Sequence, residues 1–305
     1  MIDLSVIIVS FNTEKYMEKC LRSVYGSLSG IRSEVFVVDN ASGDKGPDVV
    51  AEKFPQVKLI RNKENIGFGP AHNVAMKKAK GRYVLLLNPD TEMVQKDMLR
   101  EMIDWMDKHP KAGVSSCALL NTDRSIQGTG GYFPTISRVF AWMLFLDDIP
   151  LLDRLIKPYH PLHPWSFLYS GEEFFKKLHE QDWVTGAFYL LRGKVLEEVG
   201  YFDESFFAYV EEVEYSKRIK DAGWEVWYLP KWKIIHYGQV SSSSEFATTR
   251  EFKELKQYYK KHEPAWKMPV LRMLLKIGAV LRIVVFGILK GPQSVKTYVK
   301  AFQIV

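Results

Sequence analysis

Ser5-Val-Ile-Ile-Val-Ser-Phe-Asn-Thr13 is a continuous apolar run that ends abruptly in polar residues. A short apolar run without alternation is typical of a strand buried on both faces of a parallel sheet. Two further stretches have the same form. Glu34–Val38 leads into Asp39-Asn40-Ala41-Ser42-Gly43, and Tyr83–Leu87 leads into Asn88-Pro89-Asp90-Thr91. Each predicts a buried strand whose carboxyl end carries a polar loop.

Helical patterns separate these strands. The apolar spacing predicts helices over residues 14–28 and 70–80, so that strands and helices alternate through the first 120 residues. This alternation is the signature of an α/β fold with a mostly parallel central sheet flanked by helices. Residues 128–180 hold five of the 14 prolines and predict an irregular, partly helical insertion. Regular structure is expected to resume at Trp183–Ala187, with a strand through Leu191.

Composition excludes several classes of protein. The 305 residues are 47% hydrophobic and 26% charged, an ordinary globular mixture that excludes disorder, collagen and coiled coil. Two cysteines, Cys20 and Cys117, cannot build a disulfide framework or a cysteine-based zinc site, which favours a reducing compartment. The first residues, MIDLSVIIVS, lack a basic region and predict a strand rather than a signal peptide.

Positive charge is concentrated near the C-terminus. Residues 250–305 hold 12 Lys and Arg against three Asp and Glu, a net +9, whereas the other residues sum to −3. A nucleic-acid-binding protein is expected to carry its positive field on the folded body. A basic segment alone points to an acidic surface such as a membrane. We therefore expect residues 241–305 to form a basic helical tail at a membrane interface.

The tail is not expected to cross the membrane. Helices are predicted over residues 245–263 and 269–290, but the longest charge-free run in the second is seven residues. A spanning helix needs roughly 20. An interfacial helix lies in the plane of the membrane surface instead. The alternative is a helix packed on the body with a basic outer face.

The polar strand ends predict a ligand site, since ligands of open α/β sheets bind at the carboxyl ends of the strands. The polar groups fall at residues 10–12, 39–40, 62–67 and 88–90 and suit a nucleotide. The first strand is followed by no G-x-G-x-x-G, and the chain has no Walker A motif, which argues against a dinucleotide enzyme and an ATPase. A pyrophosphate would then need a divalent cation, with Asp90 as its best-placed carboxylate and His236 as a nitrogen ligand. The structural alternatives are a turn aspartate and a buried histidine.

Eight segments in a fixed order resemble family 2 glycosyltransferases, and among them the bacterial rhamnosyltransferase-like branch. The first four are Ser5-Val-Ile-Ile-Val-Ser-Phe-Asn12, Val37-Val-Asp-Asn-Ala-Ser42, Asn65-Ile-Gly-Phe-Gly69 with Asn73, and Leu86-Leu-Asn-Pro-Asp-Thr91. The other four are Trp183-Val-Thr-Gly-Ala-Phe188, Gly200-Tyr-Phe-Asp-Glu-Ser-Phe-Phe207, Glu211-Glu-Val-Glu-Tyr215 with Arg218, and Ile235-His236. The resemblance spans about residues 4–240.

The resemblance implies a GT-A fold over residues 1–240, with a Rossmann-like nucleotide-sugar-binding half at 1–120 and an acceptor-binding half at 121–240. It also implies inverting, Mg²⁺- or Mn²⁺-dependent transfer from a nucleotide sugar. The family's D-x-D element falls on Asn88-Pro89-Asp90, so only its final carboxylate is kept, which leaves room for His236 as a second ligand. The residues implied to border the nucleotide sugar are Ser10, Asn12, Asp39, Asn65, Gly67, Asn73, Asn88 and Asp90.

The catalytic base of the family falls on Glu212, within the pair Glu211-Glu212, where an aspartate is usual. A glutamate reaches about 1.5 Å further if the backbone is unchanged, so the base remains to be chosen among Glu211, Glu212 and Glu214. A solvated helix face is the alternative for this acidic run. Trp183 and Gly186 are implied to lie where donor and acceptor meet, although Trp183 equally suits a core position.

The sequence thus predicts an inverting glycosyltransferase of surface polysaccharide assembly. Its expected substrates are a UDP- or dTDP-linked sugar and a saccharide acceptor that is lipid-linked. The expected location is cytoplasmic, peripheral on the inner face of the cell membrane. Two alternatives stay open: a catalytically inactive, nucleotide-binding membrane scaffold, and a nucleotidyltransferase. The second would need a basic, glycine-rich loop where the sequence has Ser10-Phe-Asn-Thr-Glu14.

Overall fold

One mixed sheet organises the part of the chain that the computed structural model describes, which is residues 2–150, 152–163, 166, 170–238 and 243–305. Its strands are β1 (Ile2–Ser10), β2 (Ser33–Asp39), β3 (Lys58–Arg61), β4 (Gly81–Leu87), β5 (Thr91–Met93), β6 (Ala112–Leu120), β7 (His179–Gln181), β8 (Phe188–Arg192) and β9 (Glu225–His236). The strand order is β3-β2-β1-β4-β8-β6-β9-β5, and β7 pairs with β9. Strands β3, β2, β1 and β4 are mutually parallel, while β8 runs antiparallel to both β4 and β6.

Helices lie on both faces of this sheet. They are α1 (Glu14–Ser27), α2 (Gly46–Lys53), α3 (Phe68–Met76), α4 (Met98–Lys108), α5 (Ile136–Met143), α6 (Leu152–Leu155), α7 (Gly193–Val199), α8 (Glu211–Asp221), α9 (Ser244–His262), α10 (Lys267–Lys290) and α11 (Pro292–Ile304). Two short 3₁₀ helices cover Leu146–Asp148 and Glu172–Lys176.

The apolar run of β1 is buried on both faces, as predicted. Leu4, Val6 and Ile8 belong to an apolar layer completed by α1 and α4. Ile7 and Val9 belong to a second layer on the opposite face, completed by α3 and α8. Because successive side chains of a strand point to opposite faces, a strand between two helical layers needs apolar residues at every position. The expected α/β architecture is confirmed.

The predicted bounds of two elements were wrong. The helix expected over 70–80 spans Phe68–Met76, since Gly67 sits at φ +96° before it and the Lys80 N–H donates to the Glu34 carboxylate at 2.7 Å instead of continuing the helix. Residues 183–187 form a turn-rich loop, and the strand begins only at Phe188. The insertion contains α5, α6 and the two 3₁₀ helices among its described residues, which confirms a partly helical segment.

The C-terminal helices pack on the insertion and on α8. Side chains of α9, α10 and α11 share one apolar cluster with Val139 and Met143 of α5, Tyr159 of the insertion and Val213 of α8. The predicted helices at 245–263 and 269–290 are present as α9 and α10, while α11 was not predicted. No helix among the described residues is both long and apolar enough to cross a membrane.

The outer face of α10 carries exposed Arg272, Lys276 and Lys290 among a larger number of apolar side chains. Arg282 is 5% exposed, and its guanidinium donates to the carbonyls of Met143 at 2.9 Å and Trp142 at 2.7 Å. An arginine whose stem lines a core and whose head finds backbone carbonyls is satisfied without solvent. The exposed apolar side chains of α10 are Met273, Ile277, Val280, Val284, Val285, Ile288 and Leu289.

Candidate active site

Asn40 holds together the three loops at the carboxyl ends of β1, β2 and β3. Its N–H donates to the Ser10 carbonyl at 2.8 Å, and its side-chain amide donates to Asn65 Oδ1 at 2.9 Å and to the Gly67 carbonyl at 3.1 Å. Its Oδ1 accepts from the amide of Asn62 and from the Ile66 N–H. Sequence reasoning placed Asn40 at a strand end but did not select it. The signal was its place directly after Asp39 at the end of a buried strand.

Asp39 lies beside this network at the end of β2, opposite Ser10 of β1 in the sheet register. It is 5% exposed, and its Oδ1 accepts the Ser42 N–H at 3.2 Å. Asn12 adopts φ +55° and accepts the Gly43 N–H at 2.7 Å. The loops after β1 and β2 therefore brace each other around the Asp39 carboxylate.

Gly67 lies where only a glycine fits, because a Cβ built on it would come within 2.7 Å of the Phe207 carbonyl oxygen. The adjacent Phe68 N–H donates to that same carbonyl at 2.8 Å. Asn73, one helical turn on, is buried and bonds both backbone groups of the residue Phe202, through Nδ2 at 2.9 Å and Oδ1 at 3.1 Å. The amide of Asn73 thus connects α3 to the loop that precedes α8.

Asp90 and His236 lie side by side although 146 positions separate them. Antiparallel pairing of β5 with β9 sets Thr91 opposite His236 and brings His236 Nε2 to 3.4 Å from Asp90 Oδ1. Asn88 points its Nδ2 at the same imidazole nitrogen, also at 3.4 Å, while its Oδ1 is buried without a hydrogen-bond partner. The three residues form one small polar site at the end of β4.

Gln127, which sequence reasoning missed, sets the tautomer of His236. Its Nε2 donates to the carbonyl of His236 at 2.6 Å and to Asn121 Oδ1 at 2.7 Å, so its Oε1 is the acceptor for His236 Nδ1 at 2.8 Å. A neutral imidazole with its proton on Nδ1 turns the lone pair of Nε2 toward Asp90. A histidine nitrogen and a carboxylate oxygen then face each other, with the Asn88 side chain beside them, and these two donor types fit Mn²⁺ or Mg²⁺.

The three glutamates at the start of α8 have different surroundings. Glu211 is buried, and its Oε2 accepts the Val210 N–H at 3.0 Å. Burial raises the pKa of Glu211 well above its usual range, and the neighbouring Glu212 adds to this. Burial opposes ionisation of Glu214 as well, but hydrogen bonds from His262, Arg218 and Lys261 outweigh it and lower its pKa to about 2. Glu214 is therefore a charged link between α8 and α9.

Glu212 is half-buried as a residue, but its Oε2 is buried and has no hydrogen-bond partner. The pKa of Glu212 is raised to about 7, chiefly by burial and in smaller part by the charge of Glu251. The backbone N–H groups of Glu212 and Gly186 and the imidazole of His160 act in the opposite direction. His160, from the insertion, contacts Glu251 of α9 at 2.7 Å. Neither was selected from the sequence, because neither belongs to a recognisable pattern.

Trp183 and Gly186 lie next to this acidic helix. Trp183 is 6% exposed, donates from Nε1 to the Tyr132 carbonyl at 3.3 Å and belongs to the apolar cluster of the C-terminal helices. A Cβ on Gly186 would meet the ring of Phe68 at 2.9 Å. The loop at 183–187 therefore lies between helix α3 and Glu212.

A family model described as glycosyl transferase family 2 matches residues 5–200, and the chain belongs to this family. It is a glycosyltransferase. An N-acetylglucosaminyl-diphospho-decaprenol L-rhamnosyltransferase of Mycobacterium tuberculosis is 24% identical, over 92% of this chain and 91% of that protein. The rhamnosyltransferase WbbL of Escherichia coli is 24% identical, over 79% of this chain and 86% of its own length.

Solved structures share the fold. A mannosyltransferase from Pyrobaculum calidifontis, described with GDP-Man and Mn²⁺, aligns with a TM-score of 0.56 at 18% identity over 98% of this chain and 73% of that one. TarS of S. aureus, residues 1–349, described with UDP-GlcNAc, aligns with a TM-score of 0.53 at 18% identity over 98% and 79%. The expected GT-A fold is confirmed.

Proposed function

We propose that this glycosyltransferase transfers a sugar, with inversion, from a nucleoside diphosphate sugar to a lipid-linked saccharide during surface polysaccharide assembly. The observation that carries the proposal is Glu212, at the start of α8, which has an unpartnered oxygen and a pKa raised to about 7. A base with a pKa close to the operating pH combines a useful ionised fraction with proton affinity. Glu211 and Glu214 have partners that occupy their carboxylates.

The donor sugar nucleotide is assigned to the carboxyl ends of β1, β2 and β4. Asp39 is assigned to the nucleobase of the donor. It lies in the loops that the hydrogen bonds among Asn40, Asn65 and Gly67 hold in place. Asp90 and His236 would hold Mn²⁺ or Mg²⁺ through the carboxylate oxygen and the imidazole nitrogen that face each other, with the Asn88 side chain beside them. Such an ion, when bound, neutralises charge on the departing diphosphate.

The reaction assigned to Glu212 is a single displacement. The Glu212 carboxylate accepts the proton of the acceptor hydroxyl while that oxygen forms a bond to the anomeric carbon. The bond from the anomeric carbon to the diphosphate oxygen breaks, and its electron pair leaves with the nucleoside diphosphate. Attack from the face opposite the leaving group inverts the anomeric configuration.

The acceptor is assigned to a membrane surface on its cytoplasmic face. The Mycobacterium tuberculosis relative is named for a decaprenol-linked acceptor, and the outer face of α10 offers a row of exposed apolar side chains flanked by exposed Arg272, Lys276 and Lys290. This arrangement suits insertion of an apolar face between anionic headgroups. Both relatives are named rhamnosyltransferases, so L-rhamnose is the first sugar to test.

Calorimetric titration with UDP, dTDP and GDP tests the donor site. We expect one diphosphate to bind selectively, with an affinity that requires Mn²⁺ or Mg²⁺ and is lost in Asp90→Ala. The nucleotide that binds then selects the sugar donors for a transfer assay with a lipid-linked saccharide, in which NMR reports the anomeric configuration of the product. Retention of configuration, or metal-independent binding, contradicts the proposal. Selective binding without transfer to any acceptor supports the inactive scaffold instead.

A further inference from the structure

Asp147, Asp148 and His163 form a cluster of metal-ligating side chains within the insertion. The two aspartates end the 3₁₀ helix Leu146–Asp148, and His163 comes from the segment that returns past it. One donor atom of each residue lies within 4.8 Å of the donor atoms of the other two. Among the described residues, no hydrogen bond or ion pair joins this triad to Asp90 or His236.

The triad has buried polar atoms without partners. Asp147 is 1% exposed, and both of its carboxylate oxygens lack a hydrogen bond. His163 is 9% exposed, and its Nε2 is also buried and unpartnered. A buried carboxylate with no partner is costly, and buried polar groups of native proteins are otherwise nearly always satisfied. Three orphaned atoms in one cluster point to a missing ligand.

The charges around Asp147 do not supply that ligand. Arg282 of α10 interacts electrostatically with Asp147, but its guanidinium donates to the carbonyls of Trp142 and Met143. His163 Nδ1 is 2.9 Å from Asp148 Oδ1, which orients the imidazole. A divalent cation at this position would satisfy the two carboxylate oxygens of Asp147 that have no hydrogen-bond partner.

We propose that Asp147, Asp148 and His163 bind a divalent transition metal, Zn²⁺ in the first instance, at a second metal site distinct from the Asp90–His236 pair. Two carboxylate oxygens and one imidazole nitrogen form a common zinc donor set, and water can complete it. Tetrahedral ligands about 2.1 Å from one ion lie about 3.4 Å apart. Any donor atoms at the 4.8 Å limit would therefore have to approach one another by about 1.4 Å when the ion binds.

The metal would fasten the two ends of one loop in the insertion. His160, three residues before His163, reaches Glu251 of α9 beside Glu212. Fixing His163 to the 3₁₀ helix therefore holds the segment that carries His160. The role is structural, and the site does not depend on the transfer reaction.

Metal content and thermal stability test the proposal. In an Asp90→Ala/His236→Ala background, which removes the other candidate ligands, we expect the EDTA-treated protein to take up one equivalent of Zn²⁺ and its melting temperature to rise. Adding Asp147→Asn, which keeps the side-chain volume, should abolish both effects. Asp104→Asn, at an exposed position of α4, is the matched control and should change neither.

Two outcomes would overturn the site. One is an Asp147→Asn protein that takes up Zn²⁺ as the background protein does. The other is a folded background protein with no Zn²⁺ uptake and no thermal shift with either Zn²⁺ or Mn²⁺. Uptake of Mn²⁺ in preference to Zn²⁺, lost in Asp147→Asn, would keep the site and change the ion. If the double variant is unfolded, Asp147→Asn is compared with wild type, where it should remove one equivalent.

Discussion

Replacing Gly67 with alanine should destabilise the protein more than the same replacement at Gly200. Both glycines adopt conformations that side chains rarely take, with φ +96° and ψ 174° at Gly67 and φ +82° and ψ −150° at Gly200. Their surroundings differ. A Cβ at Gly67 would lie 2.7 Å from the carbonyl oxygen and 3.1 Å from the Cα of Phe207, whereas a Cβ at Gly200 would meet no atom within 4 Å.

The magnitudes follow from this difference. The backbone strain is common to both variants and costs about 1–3 kcal/mol in each. The contact with the Phe207 backbone cannot be relieved by turning a side chain, and overpacking of this kind adds about 1–3 kcal/mol. Gly67→Ala should therefore lose about 2–6 kcal/mol of unfolding free energy, and Gly200→Ala about 1–3 kcal/mol.

Urea denaturation of the two variants and the wild type measures these losses, and calorimetry with the selected nucleoside diphosphate measures the functional effect. The carbonyl of Gly67 accepts a hydrogen bond from Asn40, and the next residue, Phe68, packs its ring against Gly186. For this reason only Gly67→Ala should weaken nucleotide binding. Equal losses of stability, with nucleotide binding intact in both variants, would refute the close approach of Gly67 to the backbone of Phe207.

Three further outcomes are expected. The low pKa of Glu214 stabilises the fold above about pH 4.5, and this contribution is lost as the pH falls toward 2. Glu214→Gln should therefore lose less stability than wild type over this pH range in acid denaturation. A pH profile identical to that of wild type would contradict the link between α8 and α9. Gln127→Ala frees the His236 imidazole and should weaken Mn²⁺-dependent nucleotide binding about 10- to 100-fold, with binding at unchanged affinity as the contrary result. Arg282→Met leaves the Met143 carbonyl unpaired and should cost about 1–3 kcal/mol by urea denaturation, against little change for the exposed Lys276→Met.

The buried strands were predictable because their signal is local. Residues 6–9 are apolar at every position, and a strand between two helical layers favours that pattern. The position of Arg282 was not predictable in the same way, since an arginine in a helical pattern ordinarily faces solvent. Its burial depends on two backbone carbonyls of the insertion, about 140 positions earlier.

In the candidate active site, too, residues marked by local sequence were predictable, and contacts between distant residues were not. Asp90 could be selected from its place after a buried strand, but its position beside His236 depends on the pairing of β5 with β9. The sequence left three glutamates of α8 as candidates, and their hydrogen-bond partners distinguish them. Gln127 lies in the loop after β6, His160 in the insertion and Glu251 in α9, and no periodic pattern or motif marks any of them as functional.

The pH dependence of sugar transfer by wild type and Glu212→Gln is the most direct test of the proposed base. With the donor and acceptor established, wild-type kcat/KM should rise with pH through a midpoint near 7, because Glu212 acts in its ionised form. Glu212→Gln should lose about 10²- to 10⁴-fold in rate, while metal-dependent nucleotide binding stays unchanged. A Glu212→Gln enzyme that transfers sugar at the wild-type rate, with the same dependence on pH, would contradict the assignment of Glu212 as the base.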